Sequence, residues 1–440
     1  MRSEAQQRKL QHWAWYLYDF GNSAYAAVVV LAVYSAYFKG SVVGGAEGTR
    51  LWGISVGIAM LVSAAISPVL GTIADFSASK KKFLLISSAT SWVFTALLFF
   101  VTRGEVFIGM LFYILAEIGY RAGQVFYNGI LPEISTPEDI GRVSGNGWAV
   151  GSLGGIVCLL LVLPIIMIFE GSDVPVRLAM VITAVFFALS SIPLFVCVKE
   201  RAVAQRLPRA SAYLTLSFRR LMRTIRSIRH FKEFVKFMVA FLIYNDGIMM
   251  AMDFAAIIGA VMYGMNQQQL IIMMIIVQVT SIFGAWVSGI YGQRAGFKKA
   301  LMGSLVLMLI VILWMLFNRT LLGYFVITAV AGFALTGVQA VSRTMTGLFA
   351  PAGQSAEFYA IESVAGRTSS FIGPTVYGLL AGGVALMLQR RGTDALLAEQ
   401  IGQRAGIVSI AVFLVIGMIV LSTVNEKRAR QAAAEYRPVD

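Results

Sequence analysis

Ser67-Pro-Val-Leu-Gly-Thr-Ile-Ala-Asp-Phe-Ser-Ala-Ser-Lys-Lys-Lys82 and Ala285-Trp-Val-Ser-Gly-Ile-Tyr-Gly-Gln-Arg-Ala-Gly-Phe-Lys-Lys-Ala300 are the two stretches on which the fold turns. Each closes a long apolar run with a small-residue turn and reopens on lysines. They lie 218 positions apart. A second pair repeats nearly the same shift: Leu131-Pro132 with Ser144, Gly147 and Gly154 is echoed 219 positions later by Ala350-Pro351 with Ser363, Gly366 and Gly373. Two independent echoes at one offset mark an internal duplication.

The surrounding composition fixes the solvent. Of 440 residues, 58% are hydrophobic and 13% charged, with mean hydropathy +0.76. Soluble domains carry about 25% charged residues. Repeated apolar runs of about 20 residues give an all-α membrane protein. Twelve spans are expected, near 13–38, 51–74, 83–102, 105–131, 142–169, 176–198, 234–263, 268–291, 300–317, 321–349, 356–388 and 403–424. The N-terminus lacks the apolar core and small-residue cleavage site of a signal peptide, and Trp13, Trp15, Tyr16 and Tyr18 read as an aromatic belt. Cys158 and Cys197 lie inside apolar runs and read as packing residues. His12 and His230 sit at membrane edges, so no metal site or cofactor is expected.

Positive charge sets the orientation. Arg2, Arg8, Lys9, Lys80–Lys82, the linker, Arg294, Lys298, Lys299 and the tail place both termini in the cytoplasm. The segment after span six is the one long polar stretch. From 212 to 237, Leu214, Phe218, Leu221, Met222, Ile225, Ile228 and Phe231 recur at helical spacing, with Arg219, Arg220, Arg223, Arg226 and Arg229 between them. It reads as a basic amphipathic helix on anionic lipid, which accounts for much of the +14 charge without nucleic acid. The expected organisation is a six-helix half at 1–198, a linker at 199–233, a second six-helix half at 234–424 and a tail at 425–440.

Two parallel six-helix halves joined by a cytoplasmic linker resemble the major facilitator transporters. The Gly71-x-x-x-Asp75…Lys80-Lys81-Lys82 turn resembles that superfamily's loop between spans two and three, where a carboxylate and basic groups form a cytoplasmic latch. The second copy has Gln293 in the acid's place beside Arg294. Asp75, Lys80, Lys81, Lys82, Arg294, Glu357 and Glu362 are the candidate cytoplasmic gate.

Charges inside the spans are confined to a subset of them. Span one carries Asp19 and Asn22, and span four Glu117, Arg121, Gln124 and Asn128. Span seven carries Asp246 and Asp253, span ten Gln339 and Arg343, and span eleven Glu362 and Arg367. A charge facing lipid costs roughly 3 kcal/mol or more, so these groups face a cavity or each other. In the resembled superfamily spans one, four, seven and ten line the central cavity. Glu117, Arg121, Gln124 and Asn128 fall on one stripe by helical spacing. Either they are structural ion pairs or they belong to a pathway in which Asp19, Glu117 and Asp246 carry protons and Arg121, Arg343 and Arg367 meet an anionic group. No GxxxxGK loop or metal–nucleophile constellation points to an ATP-driven pump or an enzyme.

Tyr18-Asp-Phe-Gly-Asn-Ser-Ala-Tyr25, Tyr127-Asn-Gly-Ile-Leu-Pro-Glu-Ile134 and Ser342-Arg-Thr…Pro351…Ala356-Glu-Phe-Tyr359 resemble signatures of the vacuole effluxer family of the major facilitator superfamily. Gly21 replaces its usual alanine. Asp19, Asn22, Asn128, Pro132, Arg343 and Glu357 are carried over by these motifs, without settled roles. The resemblance implies a monomeric, prokaryotic, inner-membrane transporter exporting an amino-acid-like metabolite with protons. Efflux of amphipathic compounds, for which Met249–Met274 offers an adaptable apolar surface, is an alternative, as is a non-transporting receptor or scaffold on the same fold.

Overall fold

The computed structural model describes residues 4–200 and 231–435 except 78, 137–138, 169–171, 352–357, 360, 363–364 and 367–369. The side chains of 4–5, 68, 71–77, 132 and 140–141 are also outside the description. Among the described residues every regular element is helical, and twelve helices are long and apolar enough to cross a membrane. They are span one Gln6–Val43, span two Gly45–Ser67, span three Lys80–Phe100, span four Val106–Leu131, span five Arg142–Ile168 and span six Val174–Cys197. Then follow span seven Lys232–Tyr263, span eight Gln267–Ala295, span nine Phe297–Phe317, span ten Leu321–Phe349, span eleven Ile372–Arg390 and span twelve Ala395–Ser422.

Several boundaries differ from hydropathy. Span one is helical from Glu4, nine residues ahead of the apolar run's start at Trp13. It runs on through π-helical turns at Ala26–Ala32 and Phe38–Val43, where the Val33 N–H reaches back five residues to the Val28 carbonyl. Span twelve starts at Ala395, because the Asp394 side chain caps it by accepting from the Leu397 N–H. Its first turns, with Glu399, Gln403 and Arg404, are too polar to register in a hydropathy window. Span seven stops at Gly264, whose φ of +64° is a left-handed conformation that favours glycine. The basic linker helix expected at 212–237 lies outside the described residues up to 230; Lys232 already opens span seven.

Contacts divide the chain into two units, residues 1–218 with 266–271, and 219–265 with 272–440. Each is built on the same adjacencies. In the first, span one packs on five and six, and span three on four and six. In the second, span seven packs on eleven and twelve, and span nine on ten and twelve.

The duplication reaches individual contacts. A methyl group added at Gly147 would strike the Trp15 ring, and one at Gly154 would lie 2.5 Å from the Phe20 carbonyl carbon. In the second unit a methyl group added at Gly366 would lie 3.3 Å from the Phe241 ring, and one at Gly373 2.7 Å from the Asp246 carbonyl oxygen. Spans one and seven therefore correspond at an offset of 226 residues, with Tyr18 matched to Tyr244, Asp19 to Asn245 and Gly21 to Gly247. Gly21 itself departs from alanine for a steric reason: a Cβ there would be 2.9 Å from Ser190 Cβ of span six.

A further repeated device joins the start of the third helix to the end of the sixth. In the first unit Lys81 Nζ donates to the Val198 carbonyl at 2.7 Å, and the Glu200 carboxylate accepts from the Lys80 N–H. In the second, Lys298 Nζ donates to the Ser422 and Val424 carbonyls at 2.6 and 2.7 Å, and Glu426 accepts from the Lys298 N–H at 2.9 Å. A cation on terminal carbonyls and a carboxylate on an opening N–H both oppose the partial charges of helix ends.

Candidate functional site

In the first unit the polar stripe of span four begins with a fully buried charge. Glu117 has no exposed surface, and its Oε1 accepts from Arg121 Nε at 2.7 Å. Arg121 keeps 24% of its side chain exposed and lies 5.4 Å over the Tyr120 ring. Tyr120 in turn packs on Tyr25 of span one at 4.7 Å between centroids. Tyr25 lies beside Glu117, and Gln124 lies beside the Tyr120 hydroxyl. The helical spacing of Glu117 and Arg121 thus produces an intrahelical pair, set into an aromatic wall that spacing alone did not disclose. The Arg121 guanidinium is thus held by a buried carboxylate while part of it stays accessible.

About three turns into span one, the family-like motif is also a packing motif. Trp15 stacks on Tyr127 at 4.3 Å and 7°, its Nε1 donates to the Tyr127 carbonyl, and the Tyr127 hydroxyl donates to the Trp15 carbonyl. Tyr18 shares a hydrogen bond with Ser88 of span three, and His12 bonds to the Ile134 carbonyl. Glu133 pairs with Lys80 at 2.9 Å, and Lys80 also donates to the Gly129 carbonyl. The two sequence motifs at 18–25 and 127–134 therefore meet in space. Lys80 and Lys81, expected at the gate, are engaged inside their own unit. Asn128 is exposed, as is Lys82.

Asp19 is half-buried, and its carboxylate lies beside the Asn22 amide. Asn22 is 3% exposed. Sequence reasoning passed over Ser23 and Gly151, although an i, i+3, i+4 series of Asp19, Asn22 and Ser23 was readable as one helix face.

In the second unit Asp246 and Asp253 are buried on span seven at 2% and 3% exposure. The neighbouring Tyr244 hydroxyl bonds to Ser342 of span ten at 2.7 Å. Arg343 is exposed and Gln339 half-buried. Glu362 and Tyr359, between spans ten and eleven, interact electrostatically with Arg343 near the end of span ten, so two of the expected pathway and gate residues meet there. Arg294 is exposed in the last turn of span eight. Arg367 and Glu357 lie outside the described residues, and so do the side chains of Asp75 and Pro132. Met250, Met265, Met273 and Met274 are buried, and Met249, Met252 and Met262 half-buried. Among the described residues no group of three or more His, Cys, Asp or Glu is arranged to hold a metal ion.

A sequence profile described as "Vacuole effluxer Atg22 like" matches residues 51–434. The chain belongs to this family. The Tyr18–Tyr25 motif lies ahead of the matched region, so the assignment does not depend on it. The chain is 26% identical over 432 residues to the uncharacterized MFS-type transporter YxiO of Bacillus subtilis, covering 96% of each. It is also 26% identical over 266 residues to autophagy-related protein 22 of Yarrowia lipolytica, covering 54% of this chain and 45% of that one. The chain thus spans about half the length of such fungal relatives.

Among solved structures, an inward-facing bacterial homolog of the human lysosomal transporter Spinster superposes with TM-score 0.73 at 13% identity, all of both chains being covered. A D-xylose–proton symporter superposes with TM-score 0.70 at 13% identity, covering 97% of this chain and 99% of that one. These likenesses establish the major facilitator fold for this family member. It is an integral, multi-pass membrane protein.

Proposed function

We propose that the chain is a secondary active transporter that moves a small polar or zwitterionic, amino-acid-like metabolite by alternating access, coupled to protons and directed outward. The observation that carries this reading is the Glu117–Arg121 pair, a wholly buried carboxylate holding a partly open guanidinium on a span of a major facilitator fold. A zwitterion needs a cationic partner for its carboxylate and an acidic one for its ammonium. Arg121 is the proposed cationic group in the first half, and Asp246 and Asp253 are buried acids in the second. Glu117 and Asp246 are the proposed proton carriers. Asp19, Asn22, Gln124, Asn128, Gln339, Arg343 and Arg367 complete the pathway, and Asp75, Lys80–Lys82, Arg294, Glu357 and Glu362 the gate.

The remaining setting follows the family and the charge distribution. We place both termini in the cytoplasm, the chain in a bacterial inner membrane as a monomer, and the 212–237 segment on anionic lipid. No catalytic role is proposed.

The test is uptake into proteoliposomes holding the purified chain, with a panel of amino acids and related metabolites, with and without an imposed pH gradient. Accumulation of one class that collapses with a protonophore, and falls at least tenfold in Glu117→Gln, supports the reading. Movement of no member of the panel, or transport indifferent to both treatments, overturns it.

A further inference from the structure

Glu117 is held through one of its two oxygens. Oε1 accepts from Arg121 Nε at 2.7 Å, while Oε2 is buried and has no hydrogen-bond donor among the described residues. Beside this carboxylate lies the hydroxyl of Tyr25, from span one. Tyr25 is wholly buried, and its hydroxyl also completes no hydrogen bond among the described residues. A buried donor and a buried acceptor left open side by side are each costly. Ring packing keeps Tyr25 in place: its ring centroid lies 4.7 Å from that of Tyr120, and the Arg121 guanidinium lies 5.4 Å over the Tyr120 ring. Phenol, guanidinium and carboxylate thus form one assembly within the first unit.

The duplicated half shows that the scaffold does not demand this assembly. At the 219-residue offset Glu117, Tyr120 and Arg121 are matched by Thr336, Gln339 and Ala340. At the 226-residue offset of spans one and seven, Tyr25 is matched by Ala251. Spans seven and ten are nonetheless in contact, as spans one and four are. Packing of the shared frame does not explain why the first copy carries all four residues.

The geometry permits an exchange of partners. The terminal torsion of a glutamate is broad, so a small turn of the carboxylate changes which oxygen meets which donor. Arg121 keeps 24% of its side chain exposed, whereas Glu117 and Tyr25 keep none, so Arg121 is the member an anion can reach. Drawing the guanidinium off Oε1 strands a buried carboxylate without its counter-charge, which is strongly unfavourable. A phenol already in place can donate a charge-assisted hydrogen bond to it.

We propose that Tyr25 is a positioning residue for Glu117, its hydroxyl taking over the carboxylate when Arg121 is drawn to an anionic group. The exchange rests on the reading of Arg121 as the anion-binding cation, but it is measured without transport. While Arg121 holds Glu117, the open Tyr25 hydroxyl is a burden on the fold. Once Arg121 is withdrawn, the same hydroxyl is a support. A tyrosine that only fills space, or only makes a fixed bond, shows no such change of sign.

The test is the temperature at which the purified full-length chain loses its monodisperse peak after heating in detergent. Tyr25→Phe is compared in the natural chain and in an Arg121→Met background. In the natural chain it should leave that temperature unchanged or raise it, since it deletes a buried hydroxyl that has no bond. In Arg121→Met it should lower the temperature by about 2 °C or more. Adding Glu117→Met, which removes the acceptor, should abolish that loss. Should Arg121→Met fail to fold, Arg121→Gln, also without the charge, takes its place. Equal shifts in the two backgrounds, a loss already in the natural chain, or a loss that survives Glu117→Met overturns the exchange. The two failures are separable: proteoliposome uptake reports on transport whatever Tyr25 does, and the melting comparison stands even if no metabolite moves.

Discussion

Alanine at Gly154 tests whether the two halves share one packing rule. The added Cβ would stand 2.5 Å from the Phe20 carbonyl carbon and 2.7 Å from its Cα. Ordinary carbon contacts begin near 3.5 Å, so span one must retreat from span five by about 1 Å. The obstacle is backbone inside a helix and has no rotamer to change. A gap of 0.5–1 Å forfeits roughly a quarter to a half of each contact's attraction. If about 50 atom pairs of about 0.1–0.2 kcal/mol line that crossing, the loss is about 1–5 kcal/mol. Gly373→Ala meets the corresponding Asp246 carbonyl oxygen at 2.7 Å and its carbon at 3.2 Å, a looser approach than Gly154→Ala makes to Phe20, so its loss should be the smaller of the two. Gly303→Ala, with nothing within 4 Å, should be neutral or raise helix stability by up to about 1 kcal/mol. The assay is the temperature at which the purified chain loses its monodisperse peak after heating in detergent, an operational stability suited to irreversible unfolding. The order Gly303→Ala above wild type or equal to it, then Gly373→Ala, then Gly154→Ala is required. If Gly154→Ala melts with wild type, or Gly303→Ala falls as far as Gly154→Ala, the packing argument is refuted.

The repeated lysine device should be separable from transport chemistry. Lys298→Met removes two charge-assisted bonds to span-end carbonyls, and partial exposure reduces the loss to about 1–2 kcal/mol; Lys81→Met, with one such bond, should lose less, read in the same melting assay. In a double-mutant cycle of Trp15→Phe and Tyr127→Phe, each change deletes one of the two reciprocal hydrogen bonds but leaves both rings. Each single variant should cost about 0.5–1.5 kcal/mol, and a cycle with no coupling above about 0.3 kcal/mol would remove the clasp from the account. The Glu105 carboxylate accepts from the Thr102 N–H at 2.6 Å, and this bond holds its carboxyl below the usual carboxylate range. The bond's contribution is present above the unfolded-state pKa of about 4.3 and is lost as pH falls through the lower folded value. Hydrogen exchange at Thr102, corrected for its intrinsic pH dependence, should therefore accelerate below that range in the natural chain, while Glu105→Gln should remove the pH step.

Much of this structure was readable from sequence because a membrane restricts backbone solutions to a few. Apolar runs locate twelve spans, and two echoes near one offset locate the duplication. What escaped depended on contacts between segments distant in sequence. Tyr25 and Tyr120 read as ordinary aromatic residues until Arg121 and Glu117 are seen beside them. The Val198-x-Glu200 and Val424-x-Glu426 endings were present in the sequence at an offset of 226 residues, but their partners, the opening lysines, repeat at 217 and 218. An indel between the copies shifts one register against the other, so a search at a single offset finds only one member of each pair. The ends of spans one and twelve were misjudged because helix continues where hydropathy falls.

The mismatch between the halves is itself informative about Asp19. Duplication hands both copies the same scaffold, so side chains kept in both are explained first by folding: Tyr18 with Tyr244, Gly147 with Gly366, Gly154 with Gly373. Residues that the shared scaffold does not require are the better candidates for chemistry. By that criterion Asp19, Asn22 and Ser23 stand out on span one, since Asn245, Ile248 and Met249 fill the same helix face without a carboxylate. Asp246 stands out on span seven, where its counterpart is Phe20. Glu117 and Arg121 stand out on span four, since the 219-residue offset pairs them with Thr336 and Ala340 on span ten. Acidic groups are thus distributed asymmetrically over a symmetric frame. Groups present in one copy and absent from its counterpart are therefore the first to be substituted in a transport assay.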